Sequence, residues 1–213
     1  LLSLAASAFV IGLTGAMAPG PLTAMTIAQS ARRGFWAGPL LVLGHAVAEI
    51  AIIAALAVGL SQFFQQPVVA GLIALVGGVV LVWMGVNIIR AAWQRRMALH
   101  SSAAGAPPAP AINDVRTGIL VSVSNPYWVL WWATVGAAYV VLALGYGVIG
   151  LIVLFVGHIM SDLSWNSLLA FAVSSGRRVI SNTIYRGALI VCGVLLVVMG
   201  LAFMWAGVRF WAG

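Results

Sequence analysis

Long apolar runs dominate this chain, and its polar residues gather in the gaps between them. Runs of about 20 residues, long enough to cross a bilayer as a helix, occupy roughly 3–29, 35–60, 67–90, 117–143, 146–173 and 187–210. They are continuously apolar rather than alternating, which argues for α-helical spans and against a β-barrel. The pattern predicts an all-α integral membrane protein with six transmembrane helices. The first run has no basic leader and stays apolar beyond signal-peptide length, so it is expected to be a retained span.

Composition strengthens this picture. Of 213 residues, 63% are apolar and 6% are charged, against about a quarter charged in soluble domains. The net charge of +7 comes from ten arginines and no lysine. In a soluble protein such a balance suggests nucleic acid. Here the arginines sit in the gaps between apolar runs, so they mark topology, and no nucleic-acid partner is expected. Arg32 and Arg33 lie in the first gap, Arg90, Arg95, Arg96 and Arg116 around the third, and Arg177, Arg178 and Arg186 in the fifth. The second and fourth gaps are uncharged. The positive-inside rule then puts the odd gaps in the cytoplasm and both termini outside, with Arg209 alone dissenting. The third gap is rich in Ser, Ala and Pro and predicts a flexible cytoplasmic loop over about 93–115. His100 and Asp114 fall in that solvated stretch and are assigned no chemistry. The single cysteine, Cys192, excludes an internal disulfide and is expected to pack.

Candidate chemistry begins with a duplication. Gly44-His45-Ala46-Val47-Ala48-Glu49 and Gly157-His158-Ile159-Met160-Ser161-Asp162 share glycine, histidine, three spacers and a carboxylate. On a helix, His and acid at i and i+4 project from one face. From opposite membrane surfaces, both pairs lie about 15–24 Å along their helices at 1.5 Å per residue, near the middle of a core about 30 Å thick. Ionisable groups there face a bundle interior or a watery cavity. Ser161 and Asn166 would extend the polar surface.

Other landmarks recur in the same order. Pro19-Gly20-Pro21 interrupts the first span and Asn125-Pro126 the fourth. Gly78 with Met84-Gly85 marks the third, and Gly193 with Met199-Gly200 the sixth. The chain therefore reads as two repeats, about 1–92 and about 116–213, within one membrane domain. Each repeat has three spans, so the second runs inverted, a recurring construction of secondary transporters. Broken helices 1 and 4 expose backbone amides whose positive dipole ends suit a substrate carboxylate. Glu49 and Asp162 suit an ammonium group or a proton, and histidine exchanges protons near neutral pH. The residues alone describe a pocket for a zwitterion; His45, Glu49, His158 and Asp162 also make a four-ligand set for a divalent metal. An HExxH motif and a Gly-x-Ser-x-Gly elbow are both missing, so no enzyme and no cofactor are expected.

Pro19-Gly20-Pro21, Arg32-Arg33-Gly34-x3-Gly38 and Asn125-Pro126 resemble the LysE/RhtB family of amino-acid exporters over nearly the whole chain. Glu49 matches that family's acidic residue in the second span, while Tyr127 stands where its best-known members carry lysine. The resemblance implies export of an amino acid or similar small metabolite across a prokaryotic plasma (inner) membrane, driven by protons or membrane potential. The alternative is divalent metal export. Small-residue faces on spans three and six suggest a homodimer.

Overall fold

The computed structural model describes residues 1–18, 20–94, 111–176 and 181–212. Pro19, the loop residues 95–110 with Arg95, Arg96 and His100, and the arginines at 177 and 178 lie outside the described residues.

Among the described residues the chain is helical, with no strand. Helices α1 (Leu2–Ala16) and α2 (Pro21–Arg33) are bent by 75° at the break between them. Five longer stretches are long and apolar enough to cross a membrane, and this bent pair makes a sixth if it counts as one span. They comprise α3 (Ala37–Ala57), α5 (Pro67–Trp93), a composite from Pro126 to Leu144, α9 (Gly147–Gly176) and α10 (Asn182–Ala212), with the short α4 (Ser61–Gln65) between α3 and α5. Preceding the composite is α6 (Ala111–Val123); the composite itself is α7 (Pro126–Trp131), one π-helical turn (Trp132–Gly136) and α8 (Ala137–Leu144).

Helix ends follow local chemistry. α2 starts with Gly20 as N-cap and Pro21 at the first position, where a missing N–H costs nothing. It ends on Gly34, whose φ of 87° is open to glycine and strained for other residues. α7 starts on Asn125, whose side chain accepts the Tyr127 amide at 3.1 Å.

Glycine sets how the helices meet. Gly44 of α3 and Gly118 of α6 face the Val115 and Leu41 carbonyls of the opposite helix so closely that neither admits a methyl group. α9 packs on α1 in a similar way, for a Cβ at Gly157 would come within 2.6 Å of the Ala5 carbonyl. α5 and α10 run antiparallel, with Gly78 against Gly200 and Gly85 against Gly193. Each glycine of these two pairs faces its partner's carbonyl oxygen, the geometry of close small-residue packing in membranes. The glycine faces that suggested a homodimer are thus consumed within one chain.

Two further expectations are corrected. The expected loop does not reach 115: α6 starts at Ala111, so the last residues of that loop are helical, and the stretch apolar enough to cross a membrane follows at Pro126–Leu144. Asp114, expected in solvent, is 1% exposed. It meets Arg33 of α2 at 2.5 Å, a partner 81 positions away that no local pattern reveals.

Candidate functional site

The two copies of the Gly-His-x-x-x-acid motif meet. Their glycines let α3 and α9 approach α6 and α1, and the ionisable groups one residue and five residues later point to a common centre. His45 Nε2 lies 3.2 Å from Glu49 Oε1 on its own helix and 3.8 Å from Asp162 Oδ2 on α9. His158 Nε2 lies 3.8 Å from Asp162 Oδ2 and 3.1 Å from Glu49 Oε1. The result is a closed ring in which imidazoles and carboxylates alternate. All four side chains are buried, Glu49 completely. Oε1 and Oε2 of Glu49 and Oδ2 of Asp162 make no ordinary hydrogen bond, and the polar groups nearest to Glu49 Oε1 and Asp162 Oδ2 are the two imidazoles. A carboxylate facing an unprotonated ring nitrogen is repulsive, hence the ring requires protons or another cation at its centre.

His45 is also tied on its far side. Its Nδ1 lies 2.6 Å from Ser122 Oγ on α6, and the Ser122 hydroxyl donates to the Gly118 carbonyl at 2.7 Å. Indoles surround the imidazoles. The Trp128 ring meets His45 edge-on at 5.8 Å, while Trp131 and Trp132 each lie 5.0 Å from His158. Trp132 is fully buried in the π-helical turn, with its ring laid over Gly136. Such turns put one extra residue into a helix and often mark functional sites.

A cavity of about 80 Å³, room for a few waters, opens beside the ring. His45, His158 and Asp162 line it, together with Gly20, Asn125 and Asn166 from the sequence-derived candidates. Both helix interruptions therefore reach the same space as the ring. Glu49, Pro21, Pro126 and Ser161 do not line it. Pro126 instead packs under Gly77 beside a separate apolar groove. Ser161 bonds its own helix, donating to the His158 carbonyl at 2.6 Å. Asn166 donates to the Asp162 carbonyl at 3.0 Å and accepts from Thr26 of α2 at 2.9 Å, linking α9 to the first interruption.

Sequence reasoning passed over Ser122, Thr26, Gly12 and the three tryptophans. The run Trp128, Trp131, Trp132 right after Asn125-Pro126 was the available signal, since indoles at such a break face either lipid or a site.

A second buried charge lies away from the ring, where Arg33 ends α2 and Asp114 opens α6. Burial pushes the Asp114 carboxyl above its usual range, while the Arg33 guanidinium pulls it down.

A family model described as LysE type translocator matches residues 13–207. Over 204 residues the chain is 28% identical to YcgF of Bacillus subtilis, a candidate amino acid efflux protein, across 95% of this chain and 96% of that one. It is likewise 28% identical over 204 residues to the chemotactic transduction protein ChpE of Pseudomonas aeruginosa, across 95% and 97%. No solved structure matches the chain to a significant degree.

Proposed function

The chain belongs to the LysE type translocator family, and on that premise we propose that it is a secondary-active, proton-coupled exporter of amino acids or similar small metabolites. Membership makes it a multi-pass membrane transporter and not an enzyme. The observation that carries the proposal is the alternating ring of His45, Glu49, His158 and Asp162 beside a cavity that both helix interruptions reach. Two imidazoles facing two carboxylates form a site that takes up and releases protons. A substrate ammonium group would face Asp162, and the backbone at Gly20 and Asn125 would face its carboxylate.

Several contacts support an inverted-repeat architecture, with repeats of about 1–92 and 116–213 and with first and fourth spans broken at proline. His45 meets Asp162 while His158 meets Glu49. Likewise Gly78 meets Gly200 while Gly85 meets Gly193. Reciprocal contacts of this kind are what a two-fold relation between halves produces. Arginine placement supports an orientation with both termini outside the cytoplasm of a prokaryotic plasma membrane. A homodimer would have to use faces other than the glycine faces of α5 and α10.

Amino-acid efflux from proteoliposomes, measured with and without an imposed pH gradient, tests the proposal. Efflux should follow the gradient and collapse in Glu49→Gln and Asp162→Asn; unchanged transport in both variants would remove the ring from the mechanism. One observation favours a second reading, divalent metal export: ligating atoms of His45, Glu49 and Asp162 lie within 4.8 Å of one another. Calorimetric titration with zinc and nickel decides it, and no heat of binding disposes of it.

A further inference from the structure

The two histidines of the ring share a motif, yet the helices behind them differ at one position. On α6, Val115 and Gly118 pack against α3, and Ser122 follows four residues later to meet His45 Nδ1. On α1, Ala5 and Ala8 pack against Gly157, and Gly12 follows four residues later, facing His158 Nδ1. A Cβ built on Gly12 would stand 2.7 Å from that nitrogen and 2.5 Å from Ser161 Oγ, so only glycine leaves this corner unfilled. Thus Gly12 occupies on one side the place that Ser122 occupies on the other.

The consequence for the two imidazoles is unequal. The Ser122 hydroxyl has one hydrogen, and it is committed to the Gly118 carbonyl. Ser122 Oγ therefore accepts from Nδ1–H of His45, which directs Nε2 into the ring. His158 uses Nε2 in the same way, towards Glu49 and Asp162. Its Nδ1 makes no hydrogen bond among the described residues, although the side chain is more than nine-tenths buried. Ser161, the nearest hydroxyl, donates to its own backbone instead. Both Gly12 and His158 line the cavity. With Nε2–H turned to the two carboxylates, Nδ1 is a second donor when the ring is an imidazolium, the form those carboxylates favour, and His158 lines the space a substrate would fill.

We infer that His158 Nδ1 is a substrate-binding group, and that a substrate oxygen takes over Gly12 the place held on His45 by the Ser122 hydroxyl. This rests on the exporter reading above and narrows it. The substrate must carry a hydrogen-bond acceptor, such as a carboxylate or carboxamide oxygen, close to any amine. Gly12 is then a specificity-determining position, because a side chain there fills the acceptor's place. Ser122 is a positioning residue for His45.

The test loads proteoliposomes containing the full chain with the twenty protein amino acids and reads their exit by chromatography. Each exported amino acid then competes with its own amide and its decarboxylated amine. Amino acid and amide, which both keep the acceptor, should compete, and the bare amine should not. Gly12→Ser should raise KM about tenfold with a smaller change in maximal rate. His158→Asn, whose amide N–H falls near Nδ1, should hold KM better than His158→Gln, whose amide falls near Nε2. Equal competition by the bare amine, or a Gly12→Ser variant with unchanged KM, overturns the inference and leaves the exporter reading intact. No amino-acid exit from any preparation overturns both. A misfolded Gly12→Ser variant leaves the decision to the competitors and to the two His158 variants.

Discussion

Among the described residues charge is buried at two places, and the two are built differently. At the centre, four ionisable groups from α3 and α9 form a ring in which each histidine reaches two carboxylates. At the junction of α2 and α6, a single contact joins Arg33 to Asp114, and the guanidinium is 22% exposed. In the ring each carboxylate faces two imidazoles and each imidazole two carboxylates, so charge there has several partners. At Asp114 the carboxylate meets one guanidinium, and that arginine keeps partial access to water. Shared charge suits a site that changes state; a single pair suits a fastening between two segments. Net energetics point the same way, because a buried pair roughly breaks even against well-packed apolar residues, whereas removing one partner is costly.

Four measurements sharpen this contrast, and the largest effect belongs to the ring. Asp162→Asn should lower efflux about 100-fold or more, the scale of losing a proton-transfer group. Proteoliposome efflux checks this, with the unfolding midpoint in detergent as the control for folding. Next comes the fastening. Asp114→Asn should cost about 1 kcal/mol of stability, the scale of one net hydrogen bond when the remaining arginine still reaches water, while export continues. Thermal unfolding followed by tryptophan fluorescence reads the loss. Third, Ser122→Ala strands Nδ1 of His45 and should cost about 1 kcal/mol, with Ser122→Thr restoring most of it. Equal midpoints for Ser122→Ala and the parent would show that His45 needs no such anchor. The smallest effect should come from the double replacement Arg33→Leu with Asp114→Leu. If the pair only fastens, this double variant should lie closer to the parent in midpoint than Asp114→Asn does.

What could be read beforehand divides along the same line. The ring residues stood out because ionisable groups are rare in apolar runs, and because the motif occurs twice at matched depth. Repetition converts a local oddity into a spatial forecast, since a two-fold arrangement brings equivalent positions together. Arg33 and Asp114 carried no such signal. Each looks like an ordinary charge at the edge of a loop, and only the approach of α6 to α2 buries one against the other. Ser122 was equally silent, as a lone serine in an apolar helix bonds its own backbone as often as a neighbour. The π-helical turn at Trp132–Gly136 escaped for a different reason. One extra residue in a turn is decided by what the Trp132 ring must pack against, and not by local propensity. Proline and glycine carry a more local signal, because their backbone limits act within a residue or two, and Pro21 and Pro126 each stand at the first position of a helix.

The glycine contacts between α5 and α10 bear on how the protein is made. Gly71, Gly78 and Gly85 face Gly207, Gly200 and Gly193, so every matched pair of numbers has the same sum. Such a seam closes in one register only, and a slip by a single turn would drive side chains into backbone. Yet its two sides are synthesised far apart in time. α5 leaves the ribosome with its glycine face bare and waits for 88 further residues before α10 begins. Until then the first half of the chain sits in the bilayer without its principal partner. Closure of this seam therefore waits for α10, and a chain truncated before α10 should insert into the membrane with the α5 glycine face left open.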